Sequence, residues 1–592
     1  MLFTTSHLWF GGKESVYHEM TTTHDVSHWI TIGYLANVLT LLMRIQGRRD
    51  TMSFSNNVAK KSKRWRGALI CLALFGAIPV SYGSETRYVS TYDELKAAIS
   101  EFNENTAQDY QIVLKNNILL SDNLPMITGN TSLKGGNSGS LVIVGNGYSI
   151  DGNNSYRGLV IDTQESGSQI TVDGVEFLSC YVAGGNGGNG ASGGGGGLGA
   201  GAAVYAYSGE VVLRNIVAAN STVKGGDGGS VLQGSDSFGG GGGLGGDGGN
   251  GVIAETGAAQ GGGVFLNGEN STLSASAGDG GVVSALNPDS MAHNTDTTSP
   301  IGGNSLAGGG GGASIAVGGS GGFGGGGGAG GTQGGVGGFG GGGAGSNIDL
   351  KSGLGGFAAG NGGYVEPVES EIFSDTQGGG TGGGGAALGS AIFVGSAANV
   401  TIAVGENSFG EIYGGSYEAG LGGGGTATDG ETIGKGIFLL NDLAVEVAEG
   451  GSYYISDSIG GYAGSSSASL DEEGNYENES GVVKSGDGTL YLNAEDSSYT
   501  GNTTVKGGTL VANQLGAISP YSNLDVKDGV VLLNANQSVQ GLDGGANGEV
   551  QLNGNTLSVT GNGDSSYEGV ISGKGTLLKS GAGKLSLSGD SR

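Results

Sequence analysis

The apolar residues of this chain occur in short, strand-like runs separated by turns, and residues 382–404 show the unit most clearly. A glycine tract leads into the run 391–394, a bend at 395–398 follows, and a second run covers 399–404. Both runs are rich in β-branched or aromatic residues that alternate in bulk, which is typical of part-buried strands and not of helices. A four-residue bend allows only a tight turn. The stretch therefore predicts two short strands joined by a turn.

The same unit recurs at irregular spacing. Further copies begin at Gly201, Gly262 and Gly436, each followed by a second apolar run. One unit has too few apolar residues to form a core alone, so the units must stack, and stacked short strands form a β-solenoid. The alternative interpretation is a low-complexity glycine chain with chance valines.

The central unit also predicts which residues point inward. Ile392 is in phase with three aliphatic residues of the other copies, Val204, Val264 and Ile437. Alternate residues of a strand point to opposite faces, so we expect Ile392 in the core and Phe393 outside it.

The N-terminal part predicts a helix followed by strands. Thr91–Glu94 is a capping box, and Leu95, Ala98, Ile99 and Phe102 follow at helical spacing. Strand patterns then succeed one another from residue 111 to 178, with Gly, Asn and Asp at the bends. The helix would cover the open backbone edge of the first rung. This order resembles the right-handed parallel β-helix of the pectate-lyase-like class over residues 88–178, and more loosely to 447.

Glycine tracts interrupt the rungs between residues 183 and 425, and the longest covers 302–345. Glycine buries no side chain and loses the most entropy on ordering, so these tracts are predicted to project as long mobile loops. The alternative is an ordered bundle of glycine-rich helices packed backbone on backbone. The predicted fold is thus all-β, a right-handed parallel β-helix with an N-terminal capping helix and long glycine-rich loops.

The C-terminal region carries the most specific motif. Residues 481–492, GVVKSGDGTLYL, are followed by 499–510, YTGNTTVKGGTL, and the first pattern returns as KSGAGKLSL at 579–587. This resembles the autotransporter-associated β-strand repeat. The resemblance implies a bacterial autotransporter passenger, which a C-terminal β-barrel carries across the outer membrane. No run of alternating ten-residue segments occurs before Arg592, so the translocator barrel is expected to be missing from this chain and the anchor is undefined.

The N-terminal residues predict export. A basic stretch at 60–66, an apolar stretch at 67–78 and a small-x-small site predict a signal peptide over 52–83, cleaved between Gly83 and Ser84. Residues 1–51 are then a leader extension or a mis-assigned start. The predicted organisation continues with a capped β-helix at 84–182, a glycine-rich interrupted solenoid at 183–447, and the repeat region at 448–592.

Composition and charge exclude several classes of protein. The chain has 134 glycines but only 6 prolines and no Gly-X-Y period, which excludes collagen. Its formal net charge of −29 disfavours binding to nucleic acid or to an anionic membrane. Beyond the predicted signal peptide Cys180 is the only cysteine, so it has no partner for an internal disulfide.

We assign no catalytic residue, cofactor or metal ligand. Beyond the signal peptide the only histidine is His293, in a loop-like stretch, which leaves no second base for a nucleophile. A polysaccharide lyase or hydrolase would need carboxylates with a basic partner, and the four arginines there are Arg87, Arg157, Arg214 and Arg592. Residues 242–250 approach the calcium-binding nonapeptide, but no second copy follows.

The sequence thus predicts a secreted or surface-displayed passenger, an adhesin-like binding or display module without catalysis. Its partner would be a ligand on a host or neighbouring cell, and it would act at the bacterial cell surface, the outer membrane or outside the cell. Two alternatives stay open: a β-helical polysaccharide-degrading enzyme, and a structural glycine-rich surface layer protein.

Overall fold

The computed structural model describes residues 85–105, 108–132, 139–252, 257–263, 267–270, 308–347, 351–365, 379–466 and 478–590. The predicted signal peptide with Gly83 and Ser84, the loop with His293, and Arg592 lie outside the described residues. In the described part, no helix is long and apolar enough to cross a membrane.

The predicted N-terminal helix is present as α1, Tyr92–Asn105. The capping box forms with one bond shifted: the Glu94 amide donates to Thr91 Oγ1 at 3.3 Å, and Glu94 Oε2 accepts the amide of Ser90, one residue before Thr91, at 2.7 Å. Leu95, Ile99 and Phe102 are fully buried on the inner face of α1, which packs on the first two strands. The helix therefore covers the N-terminal end of the stack.

Nine short strands build the first rungs. Residues 111–114, 141–144 and 159–162, all predicted as strands, lie in β2, β4 and β6. The strands are β1 Glu85–Val89, β2 Tyr110–Leu114, β3 Ile118–Leu119, β4 Leu141–Val144, β5 Ser149–Asp151, β6 Leu159–Asp162, β7 Gln169–Asp173, β8 Glu176–Leu178 and β9 Tyr181–Ala183.

The central region alternates longer rung strands with very short pairs at the edge of the glycine tracts. Its strands are β10 Gly199–Ala200, β11 Val204–Arg214, β12 Val217–Ala219, β13 Thr222–Lys224, β14 Gly363–Val365, β15 Gly379–Thr381, β16 Ala387–Leu388, β17 Ile392–Val404, β18 Phe409–Tyr413 and β19 Ser416–Glu418. Only β14 and β15 pair antiparallel among the described strands.

The C-terminal region is built of rungs without long insertions. Its strands are β20 Thr432–Ile433, β21 Ile437–Leu439, β22 Leu443–Val447, β23 Ser452–Ile455, β24 Ile459–Gly460, β25 Val482–Ser485, β26 Thr489–Leu492, β27 Thr503–Val505, β28 Thr509–Ala512, β29 Leu524–Leu533, β30 Gln537–Val539, β31 Leu542–Gln551, β32 Thr556–Val559, β33 Ser565–Tyr567, β34 Val570–Ser572, β35 Thr576–Lys579 and β36 Leu585–Leu587. A short 3₁₀ helix covers Tyr462–Gly464.

Parallel pairing of each rung with the next joins 25 of these strands into one sheet, as the predicted right-handed parallel β-helix requires. In the central rungs Val204 pairs with Ile392, and Ile392 with Ile437. All three are fully buried in the main core, so the predicted aliphatic ladder is confirmed for these residues.

Two details of the central unit differ from the prediction. Residues 392–404 form one 13-residue strand, and the expected tight turn is a shift in register opposite Ala206 and Ser208. Moreover, β11 pairs directly with β17, so no rung from residues 262–273 lies between them. The described residues of that copy, 262–263 and 267–270, bond to the glycine tract at 239–251, and its apolar residues lie outside the described part.

The described glycine tracts do not project as mobile loops. The glycines of 184–199, 239–249 and 308–345 are largely buried, and their amides and carbonyls bond to neighbouring tracts. Along one segment, successive amides donate in turn to three different neighbours, and the direction repeats every third residue. The donors and acceptors are Gly195 to Gly327, Gly196 to Gly383, Gly197 to Gly185, and Leu198 to Gly324, at 2.8–2.9 Å.

A period of three residues with no bonds within the segment is that of a polyproline-II-type helix. The tracts therefore form the glycine bundle, which we define as residues 184–199, 225–230, 239–251, 308–345, 353–362 and 379–386. This corresponds to the alternative interpretation of the sequence. The absence of a side chain is what allows it: a Cβ added to Gly196 would lie 2.0 Å from the Gly226 carbonyl oxygen.

A ladder of aromatic rings joins the glycine bundle to the rungs. Phe323, Phe339 and Phe357 lie at successive tips of the bundle, with stacked rings 4.9 Å apart. On the rungs, Phe393 stacks on Tyr205 at 4.8 Å and on Phe438 at 5.7 Å, and it meets Phe323 edge-on at 6.1 Å. Phe393 is therefore fully buried, in a second core between the rungs and the bundle. The prediction that it faces outward from the main core is correct, but it is not solvent-exposed.

Candidate binding surface

Aromatic side chains cluster on the outer face of three consecutive rungs. Phe409 and Tyr413 on β18 are 65% and 40% exposed, while Ile412 between them is buried. On the next two rungs Tyr454 and Tyr491 also point outward and stack with ring centroids 4.6 Å apart. Tyr417, on β19 of a separate short sheet just after β18, is 38% exposed. These five residues form what we call the aromatic face.

Alternation within the strands places these rings outside. In β23 the side chains of Tyr453 and Ile455 enter the core, so Tyr454 between them points outward. Gly410 in β18 allows this packing, because a Cβ there would lie 2.5 Å from the ring of Tyr453. The inward tyrosine thus fixes the register that exposes Phe409 and Tyr413.

A polar groove of about 340 Å³ borders the aromatic face. It lies along the turns that follow β18, β23 and β26, and Ser456 connects it to the face, since Tyr413 and Ser456 follow the paired residues Ile412 and Ile455. Its lining residues are Tyr417, Lys435, Ser456, Asp457, Ser458, Asn493, Ala494, Glu495, Asp496 and Gln514.

The charge of the groove is negative. Lys435 Nζ lies 3.2 Å from Asp457 Oδ1, and Asp457 Oδ2 also accepts the Gly415 amide at 2.7 Å. That carboxylate is only 4% exposed, so it is held by the fold, whereas Glu495 and Asp496 are exposed. With the one lysine paired to Asp457, the groove presents two further carboxylates to a ligand.

Asparagine side chains fix the wall of the groove. The Nδ2 of Asn513 donates to Asn493 Oδ1 at 2.7 Å, and the same bond repeats from Asn534 to Asn513 and from Asn553 to Asn534. Asn493 in turn donates to Ser456 Oγ at 3.2 Å. In such a ladder each side-chain amide hydrogen-bonds to the next one, which holds four successive turns in the same orientation.

The lysine of the C-terminal motif closes the turn after its own strand. Lys484 is fully buried, and its Nζ donates to the carbonyl oxygens of Ser485 and Gly486 at 2.7 Å and of Gly507 at 3.2 Å. Gly486 has φ of +73°, a left-handed conformation that favours glycine. In the second copy, Lys579 donates to Gly561 and Gly581, and Gly581 has φ of +78°. The Lys-x-Gly spacing is therefore a turn with a built-in donor.

Replacing Lys484 by methionine is expected to destabilise this region by about 1–3 kcal/mol, because the turn carbonyls lose their side-chain hydrogen-bond donor. Burial lowers the pKa of Lys484 from 10.5 to about 8, against the opposing effect of Asp487 and Glu446. The folded state thus disfavours the protonated amine. The contribution of this group to stability is complete above pH 10.5 and is lost as pH falls from 10.5 to about 8.

Denaturant unfolding of wild type and Lys484→Met across pH 7–11 checks this, with Lys506→Met as control because Lys506 is exposed on the next turn. The stability difference between wild type and Lys484→Met should widen as pH rises above 8. A difference that is constant with pH, or as small as that of the control, contradicts the assignment.

In the stretch that resembles a calcium nonapeptide, the polar side chains bond to neighbouring segments. Asp247 Oδ1 accepts the Asn186 amide at 2.6 Å, and Asn250 Oδ1 accepts the Asn189 amide at 2.8 Å. The Asp247 amide donates in the same way to Asn267 at 2.8 Å. At these positions side-chain oxygens thus accept the backbone amides that would otherwise donate to the carbonyl groups of a neighbouring segment. In the described residues no three potential metal ligands cluster.

The basic and thiol groups that the sequence singled out hold the fold. Arg87 pairs with Glu85 and Glu101, and Arg214 lies 3.7 Å from Asp173. Arg157 is buried and donates to the carbonyl oxygen of Leu244 in the glycine bundle at 2.9 Å. Cys180 is buried, which raises the pKa of its thiol to about 12. The structure brings none of these groups to the aromatic face.

Sequence reasoning missed the aromatic face and the groove. The signal for the rings was present, since Phe409, Glu411 and Tyr413 alternate with buried positions. The groove had no signal, because it joins turns from successive rungs that are about 20 to 40 residues apart in sequence.

Residues 482–512, which include β25 to β28 and the Lys484 turn, match the family model of the passenger-associated-transport-repeat. Comparison of the chain with curated proteins and with solved structures gives no match. The repeat is characteristic of chains that are secreted and displayed at the cell surface. Its presence within a parallel β-helix supports the resemblance of this chain to an autotransporter passenger.

Proposed function

We propose that this passenger is a non-catalytic, adhesin-like module that binds a ligand on a host or neighbouring cell through the aromatic face. The observation that carries the proposal is the exposure of Phe409, Tyr413 and Tyr417 on a folded, acidic surface. Exposed aromatic clusters mark binding sites, because removing large apolar rings from water on contact with a ligand lowers the free energy.

The geometry of the rungs supports a binding role. The face lies on strands that are paired on both sides, since β18 lies between β12 and β23. A surface on rigid strands presents its side chains with little loss of entropy on binding. The described arginines, which a lyase would use to neutralise substrate charge, are all engaged with acidic or backbone groups of the fold.

The test uses the purified, labelled chain on cultured epithelial cells and on neighbouring bacterial cells. We expect saturable binding that unlabelled chain displaces, and about a tenfold weaker interaction for Phe409→Ala combined with Tyr413→Ala, since each aromatic contact contributes about 0.5–1.5 kcal/mol beyond its buried area. Tyr88→Ala is the matched control, because Tyr88 is 64% exposed on β1, away from the face.

The enzyme alternative has one observation in its favour, the carboxylates of the groove. The same preparation is therefore incubated with polysaccharides and assayed for reducing or unsaturated ends. Release of such ends that is lost in Glu495→Gln and Asp496→Asn would establish the enzyme. Non-saturable adhesion without displacement would instead favour the structural surface layer.

A further inference from the structure

We infer that the aromatic face and the adjoining groove together bind a neutral oligosaccharide. This inference rests on the proposed function and names the chemical class of its ligand. It comes from three features: unpaired aromatic rings, planar polar side chains beside them, and the sign of the charge.

The first feature is the state of the rings. Tyr454 and Tyr491 stack on one another, but Phe409, Tyr413 and Tyr417 have no aromatic partner in the described part of the chain. Phe409 and Tyr413 lie four residues apart on β18, which is about 13 Å along an extended strand. Two free rings at that separation suit a short chain of sugar rings, whose C–H faces pack on aromatic rings while their edges carry hydroxyl groups.

The second feature is the supply of hydrogen-bonding groups. The groove continues from Tyr413 with the hydroxyls of Ser456 and Ser458, the amides of Asn493 and Gln514, and the carboxylates of Glu495 and Asp496. Planar amides donate and accept side by side, and carboxylates accept through both oxygens, which matches adjacent hydroxyl groups of a sugar. The ladder from Asn553 to Asn493 holds the wall in place, so little ordering is needed on binding.

The third feature is the charge, which selects among sugars. Glu411, Glu495 and Asp496 surround the site, and Lys435 is engaged by Asp457. An acidic polysaccharide would meet unpaired carboxylates at short range, which is unfavourable. A peptide that adds a strand is also disfavoured, because β18 offers its face and not a free edge.

The experiment is calorimetric titration of the purified chain with four neutral tetrasaccharides, built of glucose, galactose, mannose or N-acetylglucosamine. Tetragalacturonate serves as the anionic probe and tetralysine as the cationic peptide probe. We expect saturable binding of at least one neutral tetrasaccharide, with tetragalacturonate at least tenfold weaker.

Variants place the binding on the face. Phe409→Ala and Tyr413→Ala should each weaken that interaction about threefold and together about tenfold, and Asn493→Ala by a smaller factor, whereas Tyr88→Ala leaves it unchanged. Phe409 is mostly exposed, so its truncation does not disturb the core, and an unchanged melting temperature verifies this.

The outcomes separate this inference from the proposed function. If no neutral tetrasaccharide binds, if tetragalacturonate or tetralysine binds more tightly, or if the face variants bind as wild type does, the inference is wrong. Cell binding that is still lost in Phe409→Ala combined with Tyr413→Ala would then leave the proposed function standing with another ligand. If the wild type binds neither cells nor any neutral tetrasaccharide, both the inference and the proposed function are wrong.

Discussion

Alanine at a glycine inside the glycine bundle is expected to disrupt the bundle and leave the N-terminal rungs intact. In Gly196→Ala the new methyl would lie 2.0 Å from the Gly226 carbonyl oxygen, and in Gly326→Ala it would lie 2.1 Å from that of Gly195. Ordinary overpacking by one methyl group costs about 1–3 kcal/mol. Here the obstacle is backbone that is itself hydrogen-bonded, so it has little freedom to move, and we expect about 3 kcal/mol or more.

Hydrogen exchange followed by mass spectrometry locates the damage. Protection should fall in residues 308–345 and 193–199, while residues 110–178 keep wild-type protection, since rungs contact chiefly their neighbours. Gly563→Ala is the matched control, because no atom lies within 4 Å of a Cβ at that position. Wild-type exchange in Gly196→Ala would show that the segments are not packed at this distance.

The second large effect is expected from Ile392→Asp and Phe393→Asp, and it should be large for both. Ile392 is fully buried in the main core, and Phe393 is fully buried in the second core. Each change buries an unpaired carboxylate and removes a large apolar side chain, which together cost several kcal/mol, roughly 4 or more. Strand alternation alone predicts that only one of the two positions is sensitive to aspartate. Because both side chains are buried, we expect both positions to be sensitive.

The two variants should differ in where they open the structure. Ile392→Asp should expose the rungs near β17, whereas Phe393→Asp should release the aromatic tips at Phe323, Phe339 and Phe357 and leave the rung register intact. Ser396→Asp, on an exposed position of the same strand, is the control. Identical exchange maps for the two core variants would mean that the rungs and the glycine bundle share one core.

The glycine tracts show why sequence reasoning failed at one point. It treated the missing side chain as a loss, because there is nothing to bury and ordering costs about 1–2 kcal/mol per residue. In the structure the missing Cβ is what lets backbones approach closely enough to bond in three directions. The pattern GGNGGN, with a polar residue at every third position, was a signal for a three-residue period.

The sequence by itself determined the rungs, the capping helix and the repeat. Their patterns are local: two-residue alternation, a capping box, and a lysine two residues before a left-handed glycine that closes its own turn. Only the tertiary structure decided the glycine bundle, the burial of Phe393 and the groove beside the aromatic face. Each of these depends on contacts between segments far apart in the chain, such as Gly196 with Gly383 or Asn493 with Ser456. A period within one segment carries no information about which distant segment will lie against it.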